Sequence, residues 1–163
     1  MVILGIDPSL RCTGWGILTS NSSQISTLGY GVIRNPPKVL PTRCLVNIHQ
    51  TLVDVIIKYK PEVMAIEGLF FAQNIRTALT MGQARGVALL AAAQAGLEIF
   101  EYAPRRVKQS VTGVGGAAKN QVGFMVRALL ALTETPEPDA ADALAIALTH
   151  VNRRNLGSTA SPL

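Results

Sequence analysis

Residues 2–7 alternate along the chain, with Val2, Leu4 and Ile6 on one side and Ile3, Gly5 and Asp7 on the other. The run is short and β-branched, which predicts a strand. TGWGILTS (13–20) and ISTLGYGVIR (25–34) predict two more, joined by the turn NSSQ (21–24). Three consecutive strands with short turns predict an antiparallel meander. NPPKVLP then breaks the pattern at 35–41. Within 42–60, Leu45, Ile48, Leu52, Val55 and Ile56 recur at helical spacing, with Thr42 as the expected cap and Pro61 as the stop. EVMAIE (62–67) predicts a buried strand. The strongest helix signal covers 74–96, with Asn74 as its cap and Gly96 as its end. Gly82, Gly86 and many alanines give that helix one slim face, suited to close packing within the domain or across a dimer.

LEIFEYAP (97–104) predicts a fifth strand, 105–113 a short helix and VGGAA (114–118) a loop. Two helices follow, over 119–133 and 139–154. The order βββαβαβ followed by helices predicts an α/β fold, a five-stranded mixed sheet with helices on both faces. We expect one domain over residues 1–152 and a flexible tail over 153–163.

Composition narrows the class. Hydrophobic residues make up 48% and charged residues 15%, too apolar for a disordered chain. VALLAAAQAGL (87–97) is too short and alanine-rich to span a membrane, and the first residues lack the basic region of a secretory signal. These features predict a cytoplasmic protein with no membrane partner. Cys12 and Cys44 share no metal-type spacing, and His49 and His150 stand apart, so free thiols and no zinc are expected. The net charge of +5 tilts towards a polyanionic partner. From Tyr102 to Thr133 there is no Asp or Glu, while Arg105, Arg106, Lys108, Lys119 and Arg127 fall in that window. A solvated face and a phosphate-facing surface account for it equally well.

Four of the ten acidic residues are placed oddly. Asp7 ends the first strand and Glu67 ends VMAIE in the same manner, while Asp139 and Asp142 share one face of the last helix. Taken singly, most have a local explanation: an Asx turn before Pro8 for Asp7, an N-cap and a capping-box acid for the pair. Glu67 has none. Together they suggest one cluster, because the first strand belongs centrally in such a sheet and the Glu67 strand can pair beside it. Four close carboxylates repel one another and would partly protonate without a counter-ion. Mg²⁺ prefers such oxygen ligands. Two ions about 4 Å apart suit in-line displacement at a phosphodiester.

Several stretches, in order, are similar to one family: GIDPSLRCTGWG (5–16), AIEGLFFAQN (65–74), MGQARGVALLAA (81–92), FEYAPRRVKQSVTG (100–113) and DAADALAIALTH (139–150). Over about residues 1–150 the chain resembles the RuvC-type Holliday-junction resolvases, which have the ribonuclease-H-like fold. The resemblance implies a metal-dependent endonuclease, a crossover junction endodeoxyribonuclease acting in DNA recombination and repair. It implies that Asp7, Glu67, Asp139 and Asp142 are the catalytic, metal-binding acids, with Mg²⁺ or Mn²⁺ as cofactor, two per active site. It further implies a homodimer that nicks two strands of four-way junction DNA symmetrically, at the bacterial nucleoid, with junctions delivered by a branch-migration helicase complex. Phe70 matches an aromatic that wedges into the junction centre. Phe71 is its neighbour, with core packing an equal reading. Lys108 and Lys119 match basic residues near the scissile phosphate, and Arg76 is placed to reach DNA backbone.

The chain departs from the family at Ser9, where Gly is common, and at Gly68, where a polar residue is usual. GVGGAAK (113–119) is not a phosphate-binding Walker loop, since no Gly precedes Lys119 and Asn120 stands where Ser or Thr would. GIDPS and TGWG also resemble the first phosphate loop of actin-like sugar kinases, but those need two such domains. The remaining alternatives are a nuclease of the same fold acting on other branched DNA or RNA–DNA hybrids, and a non-catalytic junction-binding protein.

Overall fold

The computed structural model describes residues 1–21, 24–68, 74–155, 157 and 161–163. Strands β1 (Val2–Asp7), β2 (Cys12–Ser20) and β3 (Ile25–Arg34) form the expected meander. Helix α1 (Pro41–Tyr59) leads to β4 (Val63–Glu67), and α2 (Ile75–Gln94) leads to β5 (Glu98–Tyr102). Helices α3 (Pro104–Thr112), α4 (Lys119–Leu129) and α5 (Pro138–Asn155) follow. The five-stranded sheet has the order β3-β2-β1-β4-β5, with β1 central. It is antiparallel on the meander side and parallel from β1 to β5.

The alternation in β1 separates two cores. Leu4 and Ile6 pack with Ile48, Leu52, Ala84 and Ala88 under α1 and α2. Ile3 packs with Val107, Val126, Leu144 and Leu148 under α3, α4 and α5. The face carrying Ile3 is also stripped of side chains where α5 crosses it. A Cβ at Gly14 would run into the backbone carbonyl of Asp139, and one at Gly5 into that of Ala143. A Cβ at Gly16 would lie 2.6 Å from Leu144 Cδ2. Only glycine lets the helix backbone come this close to the sheet.

Two helix starts differ from expectation. Pro41 opens α1, with Leu40 before it and no side-chain cap, so Thr42 lies inside the helix. A proline at the first position needs no amide acceptor. Likewise Pro138 opens α5 and Ala141 donates its amide to the Glu137 carbonyl, so Asp139 lies in the first turn rather than at the cap. Asn74 does cap α2, accepting from the Thr77 amide at 2.9 Å. Gly96 ends that helix with φ +73°, and Leu97 donates back to the Ala92 carbonyl. Helix α5 continues through Asn155, and further on Leu163 donates its amide to Ile99 of edge strand β5. Among the described residues no helix is long and apolar enough to cross a membrane.

Candidate active site

β1 and β4 run parallel with Ile6 opposite Ile66, so their last residues, Asp7 and Glu67, leave the same end of the sheet. The Gly68 amide donates to the Tyr102 carbonyl at 3.0 Å, tying the end of β4 to β5. The approach of α5 over Gly14 brings its first turn to that same end. Asp139 and Asp142 face it from there. A cavity of about 710 Å³ is lined by Asp7, Glu67, Asp139 and Asp142 together with Lys108 and Lys119. Arg76, exposed near the start of α2, lies on the rim of the same cavity. Lys108 comes from α3 and Lys119 is the first residue of α4. Seven of the nine expected site residues therefore converge from six elements. Phe70 and Phe71 lie outside the described residues.

The electrostatics follow from burial and like charge. Burial pushes the Asp7 carboxyl up to about 8, and the charges of Glu67, Asp142 and Asp139 push in the same direction. Glu67 is also raised, by burial first and Asp142 second, with Lys119 and Lys108 opposing. Lys119 Nζ donates to Asp142 Oδ2 at 3.1 Å, and that bond raises the lysine. The site thus carries more negative charge than its lysines offset. Among the described residues no three acidic, His or Cys side chains are drawn tightly enough to grip a metal ion as they stand. The donor set is oxygen throughout, on the wall of an open cavity, which fits a hard divalent cation. The two cysteines are free, and Cys44 is buried away from this cavity in the opposite core.

Thr13 was not anticipated. Its side chain is fully buried, and its hydroxyl donates to the Ser9 carbonyl at 2.5 Å while facing the Ser9 amide at 3.3 Å. It clamps the turn that leaves Asp7, Ser9 included. The available signal is parity: Thr13 is polar in a row with Trp15 and Ile17, which face α1 and α2. Arg11, also on the cavity, donates to the carbonyls of Pro36 and Val39 at 2.8 and 2.9 Å and so anchors the β1–β2 turn to the segment before α1.

This geometry has close relatives. Residues 3–150 match the family model described as crossover junction endodeoxyribonuclease RuvC. The crossover junction endodeoxyribonuclease RuvC of Pelotomaculum thermopropionicum is 48% identical over 153 residues, 93% of either chain. That of Akkermansia muciniphila is 50% identical over 151 residues, 93% of this chain and 90% of the relative. Among solved structures, T. thermophilus RuvC in complex with a Holliday junction substrate superposes with a TM-score of 0.92 at 38% identity, covering 100% of this chain and 99% of that one. A match over this span, at this identity and in the same fold, makes the chain a member of the crossover junction endodeoxyribonuclease RuvC family.

Proposed function

We propose that this protein is a structure-selective endodeoxyribonuclease that resolves four-way DNA junctions by metal-dependent hydrolysis. The observation that carries the reading is the convergence of four carboxylates from β1, β4 and α5 on one cavity that also holds Lys108 and Lys119. Asp7, Glu67, Asp139 and Asp142 would hold Mg²⁺ or Mn²⁺, two per site. When bound, the ions would supply an activated water and stabilise the leaving oxygen at the scissile phosphate. The chain's own residues do the rest. Asp7 stands half-buried at a central strand end, where its position is fixed by the sheet and by the Thr13 clamp on the following turn. Its raised affinity for protons gives way when a cation takes the proton's place. Lys108 and Lys119 face the cavity as ammonium donors for a phosphodiester, and Arg76 extends the positive rim.

The homodimer is part of this proposal. Helix α2 exposes Ile75, Leu79 and Leu90, at 80%, 64% and 51%, on a stripe with Gly82 and Gly86. A Cβ at either glycine would meet open space, so a second helix can approach closely there. Two such sites in one dimer would make paired, symmetrical nicks. Residues 1–152 would form the nuclease unit and 153–163 an appended tail. A cytoplasmic location at the nucleoid and delivery by a branch-migration helicase complex are proposed with it, on the family resemblance.

The test is incubation with Mg²⁺ or Mn²⁺ and, separately, a mobile four-way junction, a linear duplex and an RNA–DNA hybrid. Paired nicks on the junction alone are expected, and Asp7→Asn should bind the junction without cutting it. Cleavage of the hybrid or duplex at the junction's rate would reject the substrate assignment, and an active Asp7→Asn would reject the metal site.

A further inference from the structure

Lys119 and Asp142 belong to two concavities. One is the catalytic cavity. The other is a groove of about 400 Å³ on their far side, lined also by Asn120, Gly123, Phe124 and Pro138. Phe124 stands 61% exposed on α4, little more than one turn beyond Lys119. Its ring also borders a depression with Val114 and Met125 and another with Arg127 and Leu132. So large an apolar side chain left in water is a surface that a ligand gains by covering. The groove is kept open at its floor, since a Cβ at Gly123 would already lie 3.3 Å from Thr135 Cγ2.

What occupies the groove is decided by its surroundings. The ring sits between Lys119 and Arg127 on a helix without a carboxylate, and of the groove's lining only Asp142, on the side of the catalytic cavity, is acidic. Lys119 borders both concavities, so a strand held by its ammonium at the catalytic cavity is at the mouth of the groove. Exposed aromatics beside backbone-tracking cations hold single-stranded nucleic acid by stacking, largely regardless of base identity. An interface for a protein would instead be expected to deplete charge at its centre.

Building on the nuclease reading above, we propose that this groove carries the cleaved DNA strand away from the active site and that Phe124 stacks on an unpaired base beside the scissile phosphate. Phe124 is a binding and positioning residue, so its loss acts on the placement of the strand rather than on the metal ligands.

The test uses the full chain and four-way junctions with 2-aminopurine at successive positions around the cleavage point. Fluorescence is read in Ca²⁺ and single-turnover cleavage in Mg²⁺. Wild type should quench one or two positions next to the cut. Phe124→Ala should lose that quenching and cleave at least about 5-fold more slowly, the lower end of one stacking contact. Phe124→Trp should retain both, and all three proteins should melt alike because the ring is exposed. Unchanged quenching and cleavage in Phe124→Ala, with wild type active, would overturn the proposal and leave the ring to a protein partner. A wild type that cuts no junction would overturn the nuclease reading itself, and this inference with it.

Discussion

At the scale of single residues, the site is governed by what it costs to ionise a buried carboxyl. Unfolded, Asp7 titrates near 3.8; folded and metal-free, near 8. Between those values the folded state binds more protons, so stability falls as pH rises through the window. Glu67 shifts in the same direction and adds to the slope. His150 works the other way. Burial against Phe100, with the charges of Arg154 and Arg153 behind it, lowers its affinity for a proton, so stability falls only as pH drops through the ordinary histidine range. Metal-free protein should therefore melt on the order of 5 °C lower at pH 8 than at pH 6. Asp7→Asn should flatten that slope and melt higher than wild type at pH 8. A slope unchanged by the substitution, followed by calorimetry in EDTA, would remove Asp7 as its source. Asp7 and Glu67 were legible as a pair, because each ends an apolar run and chain order sets their strands side by side; Asp7 alone also admitted an Asx turn before Pro8. Thr13 was not legible, because its role depends on which residues a turn brings back to it.

At the scale of elements, α5 delivers two of the four acids, and glycines in the sheet set where it lands. Gly14→Ala would drive a methyl group into the Asp139 carbonyl, and backbone cannot yield as a flexible side chain does. We expect a loss of about 1–3 kcal/mol of stability and a larger loss of activity, as the first turn of α5 lifts. A urea titration beside a cleavage assay checks both; wild-type cleavage would mean the helix start tolerates displacement. The sequence marked this helix and its paired acids but misread its start, because Pro138 takes the first helical position and moves Asp139 inward. For α1 the same effect of Pro41 displaced the expected Thr42 cap. The groove beside Phe124 had no sequence signal, since it exists only where α4 meets the segment before α5.

At the scale of the whole molecule, the strand order β3-β2-β1-β4-β5 turns separate segments into one site. That order was largely legible: the meander, the central place of β1 and the pairing of β4 beside it follow from chain order and burial pattern. Assembly was legible only as a slim face on α2. Gly86→Glu places a charge where a close helix partner is proposed, and with open space around it the fold should be unaffected. Light scattering should show a monomer that cuts junctions by unpaired nicks. A dimer that persists would move the interface elsewhere.

The central claim is that Asp7, Glu67, Asp139 and Asp142 form one divalent-metal site. Titration of Mn²⁺ into the metal-free protein at pH 8, followed by calorimetry and by the loss of the free-ion paramagnetic signal, tests it most directly. The account predicts two ions per chain with proton release, and the loss of at least one ion in each of Asp7→Asn, Glu67→Gln, Asp139→Asn and Asp142→Asn. Wild-type stoichiometry and affinity in all four variants would contradict it.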